Sequence, residues 1–127
     1  NLQRMLQRHG LDTRNLHFID GVTIPIQSTH RMDGASYLAD PKDLTRLASL
    51  VESAVKKMKP GDKFLIFDSF HDLSSFHDEA TILRFLEFFS TRLKVLRLKS
   101  IVLVNQEKLG KHVKKRLFEL SDHRIDV

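Results

Sequence analysis

The chain contains no cysteine and no tryptophan, and only three prolines and five glycines in 127 residues. Without cysteine there is neither a disulfide framework nor a thiolate zinc site, so apolar packing must hold the fold together. No apolar run approaches the length that crosses a bilayer, and no basic start followed by an apolar stretch and a small-residue cleavage site marks a secretory leader. These absences predict a soluble, cytoplasmic chain without a membrane partner. Hydrophobic residues at 41% against charged residues at 29% exclude wholesale disorder. The length predicts one domain over residues 1–127. There is no internal repeat and no low-complexity tract.

What is present alternates between helical and extended signals. Leu2, Met5, Leu6 and His9 share one helical face that Gly10 can end. Because this pattern is already under way at Asn1, we expect a fragment of a longer polypeptide. Leu16 to Gly21 reads as a short strand. Residues 21–40, with Pro25, Asp33 and Gly34, read as a long loop in which His30, Arg31 and Tyr37 are candidates for contact with a ligand or partner. Asp40-Pro41-Lys42-Asp43 is a helix start with Asp40 as cap. Leu44, Leu47, Ala48, Val51, Val55 and Met58 continue that helix at three- and four-residue steps until Pro60-Gly61 breaks it.

The run Phe64-Leu65-Ile66-Phe67 has no polar alternation, which predicts a strand buried on both faces with Asp68 and Ser69 at its carboxyl end. A polar loop is expected over His71–Asp78, then a long helix from about Glu79 to Lys99. Its apolar stripe is Ile82, Phe85, Leu86, Phe89, Leu93 and Leu96, widened by Leu83, Phe88 and Leu98. Ser100 to Val104 forms a second unbroken apolar strand ending at Asn105-Gln106. Residues 107–119 are helical and basic, and His123 to Val127 reads as a last strand. The order predicts an α/β fold, a mainly parallel sheet of about four strands flanked by helices.

Several chemistries compete for these residues. Ligands in open α/β folds bind beyond the carboxyl ends of the strands, so Asp68 is placed to hold Mg²⁺; the plainer reading is that it ends the strand and caps the next turn. His71, Asp72, His77 and Asp78 are metal-ligand types beside Asp68, and they also make an ordinary polar loop. The other histidines, His9, His17, His30, His112 and His123, are scattered. Ser69 as a nucleophile would need a base and an oxyanion hole, but Gly-x-Ser-x-Gly is absent. Phe76, Phe85, Phe88 and Phe89 can be read as a base-stacking platform or, for the last three, as core. The net charge of +5 concentrates in Arg92, Lys94, Arg97, Lys99, Lys108, Lys111, Lys114, Lys115 and Arg116. That cluster is either a nucleic-acid contact or a solvated face.

As an ordered set, Leu65-Ile66-Phe67-Asp68-Ser69, the long helix with Glu-x-x-Ile-Leu-x-Phe-Leu spacing and Ile101-Val102-Leu103-Val104-Asn105-Gln106 resembles the C-terminal part of a RecA/KaiC-like P-loop ATPase domain. Asn15-Leu16-His17-Phe18-Ile19-Asp20 is similar to the preceding strand of archaeal KaiC-like proteins. The resemblance covers about residues 10–127. It implies that Asp68 is the Walker B carboxylate associated with Mg²⁺, with Ser69 beside it, and that Asn105 and Gln106 sense the γ-phosphate. It also implies Mg-ATP as the ligand of the complete module. Gly-x-x-x-x-Gly-Lys-Ser/Thr, the Walker A segment, is missing from the chain, and neither Glu79 nor Glu107 matches the catalytic Glu. The resemblance therefore implies an ATPase-related domain with a regulatory or signalling role that does not hydrolyse ATP alone. A missing N-terminal half or a second copy would complete it. The alternatives are a non-catalytic interaction or self-association domain and, with less support, a nucleic-acid-binding module.

Overall fold

Helices α2 (Leu44–Lys57), α4 (Glu79–Val95) and α5 (Lys111–Leu120) carry the apolar spacing that creates the core, and the rest of the structure is arranged around them. The computed structural model describes residues 2–12, 14–20, 35–37, 40 and 42–127. Its remaining elements are α1 (Leu2–Arg8), β1 (Phe18–Asp20), β2 (Ala35–Tyr37), β3 (Phe64–Asp68), the short α3 (Phe70–Ser74) and β4 (Lys99–Leu103), with a 3₁₀ turn at Gln106–Lys108. The fold is mixed α/β, and no helix among the described residues is long and apolar enough to cross a membrane.

Among the described residues the strands do not form one sheet. β1 pairs with β2 and β3 with β4, both parallel, as two separate two-stranded sheets. Strand β2 falls inside the expected 21–40 loop; of that loop only Ala35–Tyr37 and Asp40 lie among the described residues, and His30 and Arg31 lie outside them. At the other end His123 to Val127 is not a strand. Ile125 is 86% exposed, and Arg124 instead lies over the Phe118 ring at 4.2 Å.

One continuous cluster joins Leu47, Ala48 and Val51 of α2, Phe70 and Leu73 of α3, Ile82, Phe85, Leu86 and Phe89 of α4, and Val113 and Leu117 of α5. Among the described residues every buried side chain in it is apolar, so its stability is set by packing and volume. The sheet meets this cluster through Leu65, Phe67, Val102 and Val104. Phe67 is edge-on to both Phe70 (5.6 Å between centroids) and Phe89 (6.2 Å), and Phe85 stacks on Phe89 at 5.0 Å. Phe88 is 52% exposed on the flank of α4 and does not widen the core stripe.

Local chemistry explains the helix boundaries. Asp43, rather than Asp40, caps α2, its carboxylate accepting from the Arg46 N–H at 2.8 Å, while Asp40 accepts from Lys42 in the preceding turn. Asp78 caps α4 through Thr81, and its hydrogen bonds to the Thr81 side chain and backbone hold its carboxyl below the usual range. Helix α4 stops short of Lys99. The Leu98 N–H turns back to the Leu93 carbonyl and the Arg97 N–H to that of Lys94, with Arg97 at φ 54°. This is a Schellman ending without the usual glycine. Gly10, at φ 71°, ends α1 with the same pair of bonds. Ion pairs clasp the helices externally: Arg92 with Glu52 joins α4 to α2, and Arg116 with Glu87 joins α5 to α4. The Arg116 hydrogen bond keeps the Glu87 carboxyl below its ordinary range.

The segment 71–78, expected as a polar loop, begins with the helical turn of α3, whose Phe70 and Leu73 are each only 2% exposed. Leu73→Ala should therefore lower unfolding free energy by about 3 kcal/mol in chemical denaturation; a loss under about 1 kcal/mol would show that α3 is not part of the core. Arg97→Gly should raise stability by roughly 0.5–1 kcal/mol by removing a left-handed non-glycine residue, read as a higher denaturant midpoint at unchanged slope.

Candidate functional site

The parallel register aligns Phe64 with Lys99, Ile66 with Ile101 and Asp68 with Leu103. Both strands thus run out at one edge, where Asp68-Ser69 leaves β3 and Val104-Asn105-Gln106 leaves β4. The residues at this edge are brought together by geometry. Asp68 is exposed and Ser69 half-buried, and the peptide between them is cis. The first turn of α3 then folds His71 back toward the end of β4.

His71 is the stitch between the two strand ends. Its side chain is 14% exposed, and its Nδ1 accepts the Asn105 backbone N–H at 3.0 Å. An imidazole nitrogen that accepts carries no proton, so in the neutral ring the proton sits on Nε2. Nε2 faces the Ser69 Oγ at 3.4 Å and Asp72 Oδ1 at 3.7 Å, while the Ser69 hydroxyl donates to Asp72 Oδ2 at 2.6 Å. Serine, histidine and aspartate therefore lie together in the wrong sense for nucleophilic catalysis. The histidine offers its protonated nitrogen to Ser69, and the serine proton is already given to a carboxylate.

The two proposed sensors have local partners. Asn105 Oδ1 accepts the Glu107 N–H at 3.1 Å and caps the 3₁₀ turn. Gln106 turns toward the C-terminal segment, donating to Asp126 at 3.4 Å and accepting from Arg124 at 3.2 Å. The edge thus gathers Ser69 and Asn105 around His71, leaves Asp68 exposed at the end of β3 and draws Gln106 toward the tail. His71 and Asp72 belong to this network, not to a metal centre with His77 and Asp78. No three His, Asp or Glu side chains converge as a metal cage among the described residues. The donor set at the edge suits a hard cation that keeps most of its water, held through a single carboxylate such as Asp68.

His71→Phe keeps an aromatic ring but removes the acceptor for the Asn105 N–H. It should cost about 1 kcal/mol of stability and speed hydrogen exchange at the Asn105 amide relative to amides within β4; unchanged exchange there would mean the bond does not hold the edge. No family model, no curated protein and no solved structure matches this chain.

Proposed function

We propose that the chain is a RecA/KaiC-like, ATPase-related domain with a regulatory or signalling role, in which Asp68 borders a nucleotide cleft. The observation that carries the reading is the common edge of two adjacent parallel strands, where an exposed carboxylate and a hydroxyl leave β3 beside an asparagine that leaves β4. Strand ends of this kind are where open α/β folds take their ligands. When bound, Mg²⁺ would screen the phosphate charge of ATP. Asp68 is the residue to hold it, directly or through water, and Ser69 and Asn105 flank that position.

The chain does not carry the rest of a hydrolytic site. It has no glycine-rich nest followed by Lys and Ser/Thr to cradle a triphosphate, and neither Glu79 nor Glu107 matches the position of the family's catalytic Glu. His71 cannot stand in as the base toward Ser69, since its Nδ1 is engaged with Asn105. On this reading the domain binds Mg-nucleotide weakly by itself and does not turn it over. Another polypeptide segment supplies the phosphate-binding loop, and His71 passes the state of the Asp68 edge to the end of β4. A second reading, a non-catalytic association domain, draws on a different observation: the outer side of the β3–β4 sheet is apolar and exposed.

Mn²⁺ with ATP, titrated into the isotopically labelled chain, should broaden the amide signals of Asp68, Ser69 and Asn105 first, and Asp68→Asn should abolish the effect. Broadening centred elsewhere, or indifferent to Asp68→Asn, would remove the nucleotide reading.

A further inference from the structure

Strand alternation sends Leu65 and Phe67 of β3 and Val102 of β4 into the core and leaves the other set outside. Phe64 is 61% exposed, Ile66 63%, Ile101 55% and Leu103 46%. Through the register these four form one patch with Lys99 beside Phe64 at its start and Asp68 beside Leu103 at its finish. The Lys99 ammonium lies over the Phe64 ring at 5.6 Å, which places it on the same face. Parallel strands are almost always covered on both sides, because their side chains are apolar on both. An uncovered apolar face of this kind marks an interface.

We propose that the occupant of this face is a second copy of the chain, packed sheet on sheet about a two-fold axis. The argument is charge complementarity along the strands. The patch is apolar in the middle, with a cation at one corner and an anion at the diagonally opposite one. A partner with its strands running in the opposite sense, at the ~30° obliquity usual for aligned sheets, brings its Asp68 over Lys99 and its Lys99 over Asp68. The surface is therefore complementary to itself, as a two-fold interface requires. The same packing in the parallel sense would oppose Lys99 to Lys99 and Asp68 to Asp68, so charge selects the antiparallel dimer and the four apolar side chains supply its driving force.

The test is solution mass across concentration, by sedimentation equilibrium up to several hundred micromolar. The unmodified chain should show a dimer. Ile66→Asp, an exposed position whose change should leave the circular dichroism spectrum intact, should shift the midpoint concentration upward at least tenfold. Asp68→Lys alone and Lys99→Asp alone should each weaken association, since each faces like charges across the axis, and the double variant should recover most of it. A chain that stays monomeric throughout, or a dimer indifferent to Ile66→Asp, or a double variant no tighter than the singles, would overturn the proposal. None of these measurements contains nucleotide, so a failure here leaves the reading of the Asp68 edge to its own Mn-ATP experiment.

Discussion

The seating of the β3–β4 sheet on the helices through Phe67 is the contact on which everything else depends. Its ring meets Phe70 on α3 and Phe89 on α4 edge-on, so a single side chain couples the strand, the turn that follows it and the longest helix. The period of two then leaves no freedom for the rest of the strand. Once Phe67 and Leu65 face inward, Phe64, Ile66 and Asp68 must face outward. The position of the candidate carboxylate is in this sense a consequence of core packing, and a one-residue slip of β3 would bury Asp68 and expose Phe67 together.

The same constraint explains why α3 exists. A strand that ends against the core has to turn at once, and Phe70 and Leu73 make the turn productive by entering the cluster that Phe67 occupies. The turn also carries His71 to the end of β4. Because β4 is the hydrogen-bonded neighbour of β3, one imidazole spans both strand ends with a single bond to Asn105. Packing and polar geometry are thus not separate layers: the aromatic contacts hold the turn, and the turn holds the histidine.

Much of this was legible in the residues. The helices α2 and α4 and the strands β3 and β4 follow from spacing alone, since each has enough residues for its period to show. What was not legible has identifiable causes. α3 spans five residues, too few for a helical period, and its polar His71, Asp72 and Ser74 outweigh Phe70 and Leu73 in any reading of composition. Ile125 and Val127 look like strand residues, but alternation is only a capacity to pair, and the tail is taken up instead by the stacking of Arg124 on Phe118. The unbroken run Phe64 to Phe67 predicted cover on both faces, yet Phe64 and Ile66 are exposed, because a strand's own residues do not say how many layers the molecule has. At the edge, the place of Asp68 at the end of β3 was readable from the apolar run before it. The His71–Asn105 bond was not, since it joins residues 34 apart through a fold that local patterns do not encode.

Asp68 ties the two proposals together. It belongs by register to the open apolar face and by position to the ligand-bearing edge. Packed against a second copy, its charge would be partly desolvated and matched by a lysine; at the edge of a nucleotide cleft, the same charge would be matched by a divalent cation. One carboxylate cannot serve both partners fully, because each gains from it mainly by neutralising it. Cation binding and self-association would then oppose one another, with the penalty each imposes on the other equal by linkage. A coupling of this form would serve the regulatory role proposed for the chain. Here it requires no long-range rearrangement, only the fact that residues 64, 66 and 68 of one strand point the same way.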